Sequence, residues 1–383
     1  MNNRNVLKIG VVFLIFFLIA TKASSGMNIF QNDFEKRWDE LSRDVQALND
    51  YNSLHQIELR NVKVDNKDLV GAVFMGAKFT GVEFEGTILE KSKFTKTVFR
   101  NCKFTNALLW NSIFTDVFFE DCSFIGAELG GSTMVDVRFK NCKITDSRMK
   151  ELQGNELVME GTTLEERTSL AWSSIPMAFR KCTLDGVGLS GMKAPVAMTI
   201  EDSLMDEVDL GRGVFSTVTL RRVKQGEGPV RFNGATMERI TIEDVDLWRG
   251  LSLSEIKAGS VSIEGGKLKT SFSDSIIPKV YARNVEFYLF SLSESNLPFV
   301  SLTDCKIHDF PMWDGYTEEL HLHNCVINEV DGENFKADTV IWDNVTLDGK
   351  IDFTNAQVKD FQATRLKRGP KLELFTTGSN LKF

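Results

Sequence analysis

Only four of the 383 residues are histidine and only four are tyrosine. With His55, His308, His321 and His323 as the whole supply, a histidine-rich metal centre or a histidine-based catalytic relay has little to draw on. The chain also lacks a glycine-rich phosphate loop, a serine-nucleophile motif and a metalloprotease motif. It has no basic cluster before Arg365-Leu366-Lys367-Arg368, and its formal net charge is -8, a balance that repels phosphate backbones and argues against nucleic acid as a partner. After residue 26 no apolar run is long enough to span a bilayer, so no membrane span is expected in the mature chain.

The first 26 residues differ from the rest. They hold Arg4, Lys8 and Lys22 and no acid, with an uncharged run from Ile9 to Ala20 followed by the small residues Ala23, Ser24 and Ser25. A positive start, a short apolar stretch and small residues for cleavage define a secretory signal peptide, placed at 1–25. The expected location is therefore secreted or periplasmic, and an uncleaved N-terminal membrane anchor is the rival reading.

What the chain has in quantity is phenylalanine, 29 residues. Phenylalanine fills an interior without a hydroxyl that needs a partner. From 59 to 149 a large residue stands at every fifth position, running Leu59, Val64, Leu69, Phe74, Phe79, Phe84, Leu89 and so on to Met149. Two places before each stands a small or β-branched residue, such as Ala72, Thr87, Ser92, Cys102, Ser112 and Cys122, with Lys67 the exception. A period of five fits neither the helix period of 3.6 nor the strand period of 2. It fits a chain that turns a corner every five residues, four sides making a coil of 20, with successive coils pairing as parallel strands about 4.8 Å apart.

This spacing resembles the pentapeptide-repeat family. The resemblance implies a right-handed, four-sided parallel β-helix, and the strict pattern covers 57–149. The Asp or Asn that the family favours before the central residue is mostly absent, so the central and small positions carry the likeness.

Beyond 150 the strict fives fail on three sides, and one side persists, as in Ile240–Leu247, Val300–Ile307 and Leu320–Ile327. Copies of that side begin at 57, 77, 97 and onward to 340, fifteen in all, spaced 19 to 22 apart. Its corner position reads Asn61, Gly81, Asn101, Asp121, Asn141, Gly161, Lys181, Asp202, Arg222, Asp244, Gly265, Asn284, Asp304, Asn324 and Asn344, mostly residues that tolerate left-handed backbone. The residue before the corner alternates in charge from Arg100, Glu120 and Lys140 to Glu201, Arg221 and Glu243, as stacked exposed strands require. The expectation is thus an all-β parallel β-helix of about fifteen coils of ~20 residues over 57–365. Phe34, Trp38, Leu41, Val45 and Leu48 share one helical stripe, which predicts a short capping α-helix within 27–56. Residues 366–383, opened by the break at Gly369-Pro370, are expected as a tail or cap. A dimer through an end coil or the 33–48 helix is the alternative use of these ends.

Candidate chemistry is sparse. Cys102, Cys122, Cys142, Cys182, Cys305 and Cys325 all occupy the small inward site, so buried free thiols are expected and no nucleophile. His321 and His323 flank inward Leu322 and point outward with Asp343 one coil on, but a third metal ligand is not evident. Acids such as Asp244, Glu264 and Asp304 recur by repeat, which makes carboxylate pairs unspecific. Outward Trp110, Phe118, Trp172, Trp248, Tyr281 and Tyr288 are binding-surface candidates or packing under loops. No catalytic residue, cofactor or metal is assigned.

The function expected is an exported, non-enzymatic β-helical scaffold that binds a protein or glycan partner, one version being a secreted factor acting on a host or neighbouring cell. A carbohydrate-active β-helix is the first alternative. The resemblance implies another, since some pentapeptide-repeat proteins mimic DNA and bind gyrase. That alternative applies if the chain is not exported.

Overall fold

A computed structural model of the chain describes residues 54–55 and 58–381. The signal segment 1–25 and the helix expected within 27–56 lie outside the described residues. The chain divides into two units, Met1–Met177 and Ala178–Phe383. Both are parallel β-solenoids, and the described residues contain no helix.

In the first unit four successive contacts, Glu58↔Lys78, Lys63↔Glu83, Asp68↔Ile88 and Val73↔Lys93, each join residues 20 apart, so a coil has four sides of five. Each side ends in a left-handed residue. Asn101, Asn106, Asn111 and Asp116 have φ of 50, 52, 56 and 56°, which short polar side chains and glycine tolerate best. All fifteen corner positions named above have positive φ. Phenylalanines at the centre of three sides stack face to face through successive coils: Phe74, Phe94 and Phe114 at 5.0 Å per step, Phe79, Phe99 and Phe119 at 4.8 and 4.9 Å, Phe84, Phe104 and Phe124 at 4.9 and 4.6 Å. The fourth side is lined by Leu69, Leu89, Leu109 and Leu129, all buried.

The small inward residues do more than leave room. Ser112 Oγ donates to Leu89 O at 2.8 Å and Ser132 Oγ to Leu109 O at 2.9 Å, each reaching back 23 residues, while Ser132 Oγ also accepts the Ser112 N–H at 3.1 Å. A hydroxyl buried here thus has both its donor and its acceptor capacity met. The six cysteines are free and buried at the same kind of position. Contact with the Cys102 and Cys142 thiols, and then burial, pushes the Cys122 thiol up, so it stays protonated and unreactive.

In the second unit the strict fives fail in the sequence, as expected, yet the inward positions keep a five-residue spacing over 285–312. Burial keeps the pentad through Val285/Phe287, Phe290/Leu292, Ser295/Leu297, Val300/Leu302, Cys305/Ile307 and Phe310/Met312. Two things hide it in the sequence. The inward site two places before the centre now takes large residues, as at Phe290, Val300 and Phe310. Alternate corners have also lost their left-handed residue: Asn284, Glu294, Asp304, Asp314, Asn324 and Asn334 keep positive φ at intervals of ten, whereas strands such as Tyr316–His323 run straight through the corner between.

Strands continue past residue 365. Gln357–Thr364, Lys367–Arg368 and Glu373–Phe375 pair with Lys336–Asp343, Thr346–Leu347 and Lys350–Asp352, forming a coil whose corner Arg365 has φ 54°. Gly369 does not end the ladder, because its N–H donates to Leu347 O at 2.7 Å and its bare Cα leaves room for Asp348. Beyond it Asn380 imitates a further strand, accepting the Val358 N–H at 2.9 Å and donating to Val358 O at 2.6 Å. Leu381 is buried beside this pair.

Candidate interaction surface

With the interior filled by repeat positions, chemistry is confined to outward residues. Several of these are structural. Trp110 lies flat over Gly130, where an added Cβ would sit 2.7 Å from the indole. The expected charge ladder forms: Glu120 bridges Arg100 and Lys140, both at 3.0 Å, and Arg221 reaches Glu243 at 2.6 Å. A second ladder escaped sequence reading, with Glu83 held by Lys63 at 3.1 Å and Lys103 at 2.9 Å. Its signal was the same 20-residue alternation of sign, one side further round the coil.

His323 Nδ1 meets Asp343 at 3.0 Å and His321 Nε2 meets Glu319 at 3.2 Å, so the two imidazoles engage different carboxylates. Asp343 also accepts from Arg365 and Thr364, and the Arg365 guanidinium above all holds its carboxyl down at about 2. Among the described residues no three His, Cys, Asp or Glu side chains converge as a metal site needs. No helix among them is long and apolar enough to cross a membrane.

Two outward features of the second unit are built rather than incidental. Gln225, a residue sequence reading passed over, uses its whole amide: Nε2 donates to Gly228 O and Gly250 O at 3.0 and 2.9 Å, and Oε1 accepts the Arg249 and Gly250 N–H groups, both at 3.1 Å. This ties the 226–229 loop to the bulge at 248–250 and presents Trp248, 46% exposed, with the Arg249 guanidinium 4.7 Å from its ring centroid. Further along the unit Glu286 collects Lys306 at 3.0 Å, Lys267 at 3.6 Å and His308 Nε2 at 3.0 Å. Tyr288 stacks on His308 at 5.3 Å, and Asn328 holds the other imidazole nitrogen at 3.2 Å. On the neighbouring side Tyr281 and His321 both pack on Phe299, at 5.4 and 5.2 Å. Trp172, 48% exposed with φ 63°, and Phe118 belong to the first unit.

Coils of four five-residue sides, left-handed corners and paired inward residues define a four-sided parallel β-helix. Residues 59–151 match the family model described as pentapeptide repeats (9 copies). No curated protein matches the chain. Among solved structures it is similar to QnrB1, a plasmid-mediated fluoroquinolone resistance protein, at 15% identity and TM-score 0.28, covering 53% of this chain and 90% of that one. It is also similar to HetL, a pentapeptide-repeat protein involved in heterocyst differentiation regulation from the cyanobacterium Nostoc sp. strain PCC 7120, at 18% identity and TM-score 0.22, covering 68% and 90%.

Proposed function

We propose that the protein is an exported, non-enzymatic β-helical scaffold that binds a protein or glycan partner through outward residues of its second unit. The observation that carries this reading is the Gln225 staple. Four hydrogen bonds to one side chain fix a loop and a bulge that carry an exposed Trp–Arg pair. Tryptophan and arginine held rigid on a surface are the residues that most often dominate binding energy, because little side-chain freedom remains to be lost. Export is supported by the charge and apolar pattern of residues 1–25.

Two measurements test the reading. Fractionation of the tagged full chain should place it in the periplasm or medium, with a mature N-terminus near residue 26 by mass spectrometry. An intact cytoplasmic chain ends the export reading, and a gyrase supercoiling assay then tests the DNA-mimic alternative. A partner captured by the mature protein should be lost with Trp248→Ala plus Arg249→Ala. Undiminished capture by that variant rules out this surface.

A further inference from the structure

One corner of the second unit changes length from coil to coil. Leu247 and Leu251 enclose three residues there, Leu268 and Thr270 one, Phe287 and Phe290 two, and Ile307 and Phe310 two, and all of these bracketing side chains are buried. The strand registers shift at the same places, between Leu247 and Leu251 and between Leu268 and Lys269. An added residue pushes a corner outward and a missing one draws it in, so the chain recedes at Lys269 and leaves a notch between the corners on either side. The walls of the notch are two coils apart, about 10 Å at the spacing of paired strands. One wall is Trp248 with the Arg249 guanidinium 4.7 Å from its ring centroid, held in place by the Gln225 amide. The other is Tyr288, 38% exposed and stacked on His308, whose imidazole nitrogens meet Glu286 and Asn328. Lys269 stands exposed at the floor, in no ion pair among the described residues. Beside the first wall the space is open, since a Cβ added at Gly250 would meet nothing within 4 Å.

The groups on offer decide what fits. Strands next to the notch pair with the coils on both sides, Lys267 with Glu286 and Glu286 with Lys306, so an extended peptide finds no free ladder to join. What remains is two aromatic rings with cations beside them. An aromatic face takes the C–H face of a sugar, and an ammonium or guanidinium takes a carboxylate. Most nearby acids already face a base: Glu286 meets Lys267, Lys306 and His308, Glu227 lies 4.0 Å from Arg249, and Asp246 stands in register with Lys267. Asp309 is half-buried at the corner beyond Tyr288. Lys269 is the charge left over.

We infer that the notch between Trp248 and Tyr288 binds an acidic glycan, a uronate whose carboxylate meets Lys269 and Arg249 while its ring lies on the aromatic walls. This names the partner class of the surface proposed above and rests on that reading, but is independent of export. The probes are tetrasaccharides of galacturonic, glucuronic and mannuronic acid, titrated calorimetrically against the full chain, with their methyl esters and hexaglutamate as controls. Saturable binding of at least one uronate is expected, and its ester, which keeps the ring and removes the charge, should bind at least ~10-fold more weakly. Lys269→Ala and Tyr288→Ala, both at exposed side chains, should each weaken binding by ~10-fold or more. One glycine inserted after Lys269 gives this corner the two-residue length of the next coil and should abolish binding with the urea midpoint near that of the parent; Lys269→Ala decides should the insertion lower that midpoint. The proposal is overturned if no uronate binds, if the ester or the Lys269→Ala variant binds as well, or if hexaglutamate binds as tightly, which would assign the notch to an acidic peptide. Failure of every uronate, with partner capture still lost in the Trp248/Arg249 variant, ends this inference and leaves the surface reading standing. Uronate binding and partner capture both unchanged in that variant end both.

Discussion

Glu286 shows how a single outward residue can be tied to its neighbours without being a catalyst. Hydrogen bonds from His308 and Lys306, and the charges of Lys306 and Lys267, hold its carboxyl at about 2, well below the ordinary 4.5. A folded-state value below the unfolded one means that the stabilisation is fully present above about pH 4.5 and disappears as the pH falls through about 2. Glu286→Gln is therefore expected to lower the urea midpoint at pH 6, with the gap to the parent closing as the pH is taken down to 2. A gap that stays constant over that range would mean that Glu286 acts through packing and not through charge. Asp309, a half-buried neighbour, moves in the opposite sense: desolvation and the charges of Glu329 and Asp331 push its carboxyl up.

At the level of the side, the Phe stacks set the energetics of the first unit. Phe99 contacts Phe79 and Phe119 face to face at 4.8 and 4.9 Å and Phe94 and Phe104 edge to face at 5.7 and 5.3 Å. Phe99→Ala should cost about 3–5 kcal/mol, since the coils on either side are fixed by their own hydrogen bonds and cannot collapse into the hole. Leu109→Ala, on the side without aromatic stacks, should cost about 2–5 kcal/mol, and the smaller loss of the two is expected because fewer buried atoms and no ring contacts are removed. Urea unfolding of both variants checks the order, and equal losses would show that stacking adds nothing beyond volume. These columns were legible because period five with alternating small and large inward residues is a pattern that only a cornered coil satisfies. Over 285–312 the five-residue spacing is hidden in the sequence for a physical reason. Once Phe290, Val300 and Phe310 fill the position two before the centre, size no longer marks which residue is central, and the corners at Asp309 and Glu319 have no left-handed residue to flag them. The Trp248–Arg249 surface was half legible. Trp248 stood out as an outward aromatic, but Gln225 works through backbone carbonyls 3 and 25 residues away, which no spacing rule reports.

Within the second unit as a whole, each coil touches only the coils next to it, so stability behaves as a sum of coil and neighbour terms. The Asn380 amide pairs with the Val358 N–H and C=O as a neighbouring strand would. Removing it with Asn380→Ala leaves the Val358 N–H and C=O without their partner, at about 1–3 kcal/mol for groups that remain shielded. The loss should be local before it is global. Amide hydrogen exchange is expected to speed up first in Gln357–Thr364, less in Lys336–Asp343 beneath it, and not measurably in Lys279–Arg283. Uniform acceleration through all three strands would show instead that the unit opens in one cooperative step, with the cap contributing to every coil and not only to the last. A graded response would show that the strands of 357–375 can open while the coils that carry Trp248 and Glu286 stay closed.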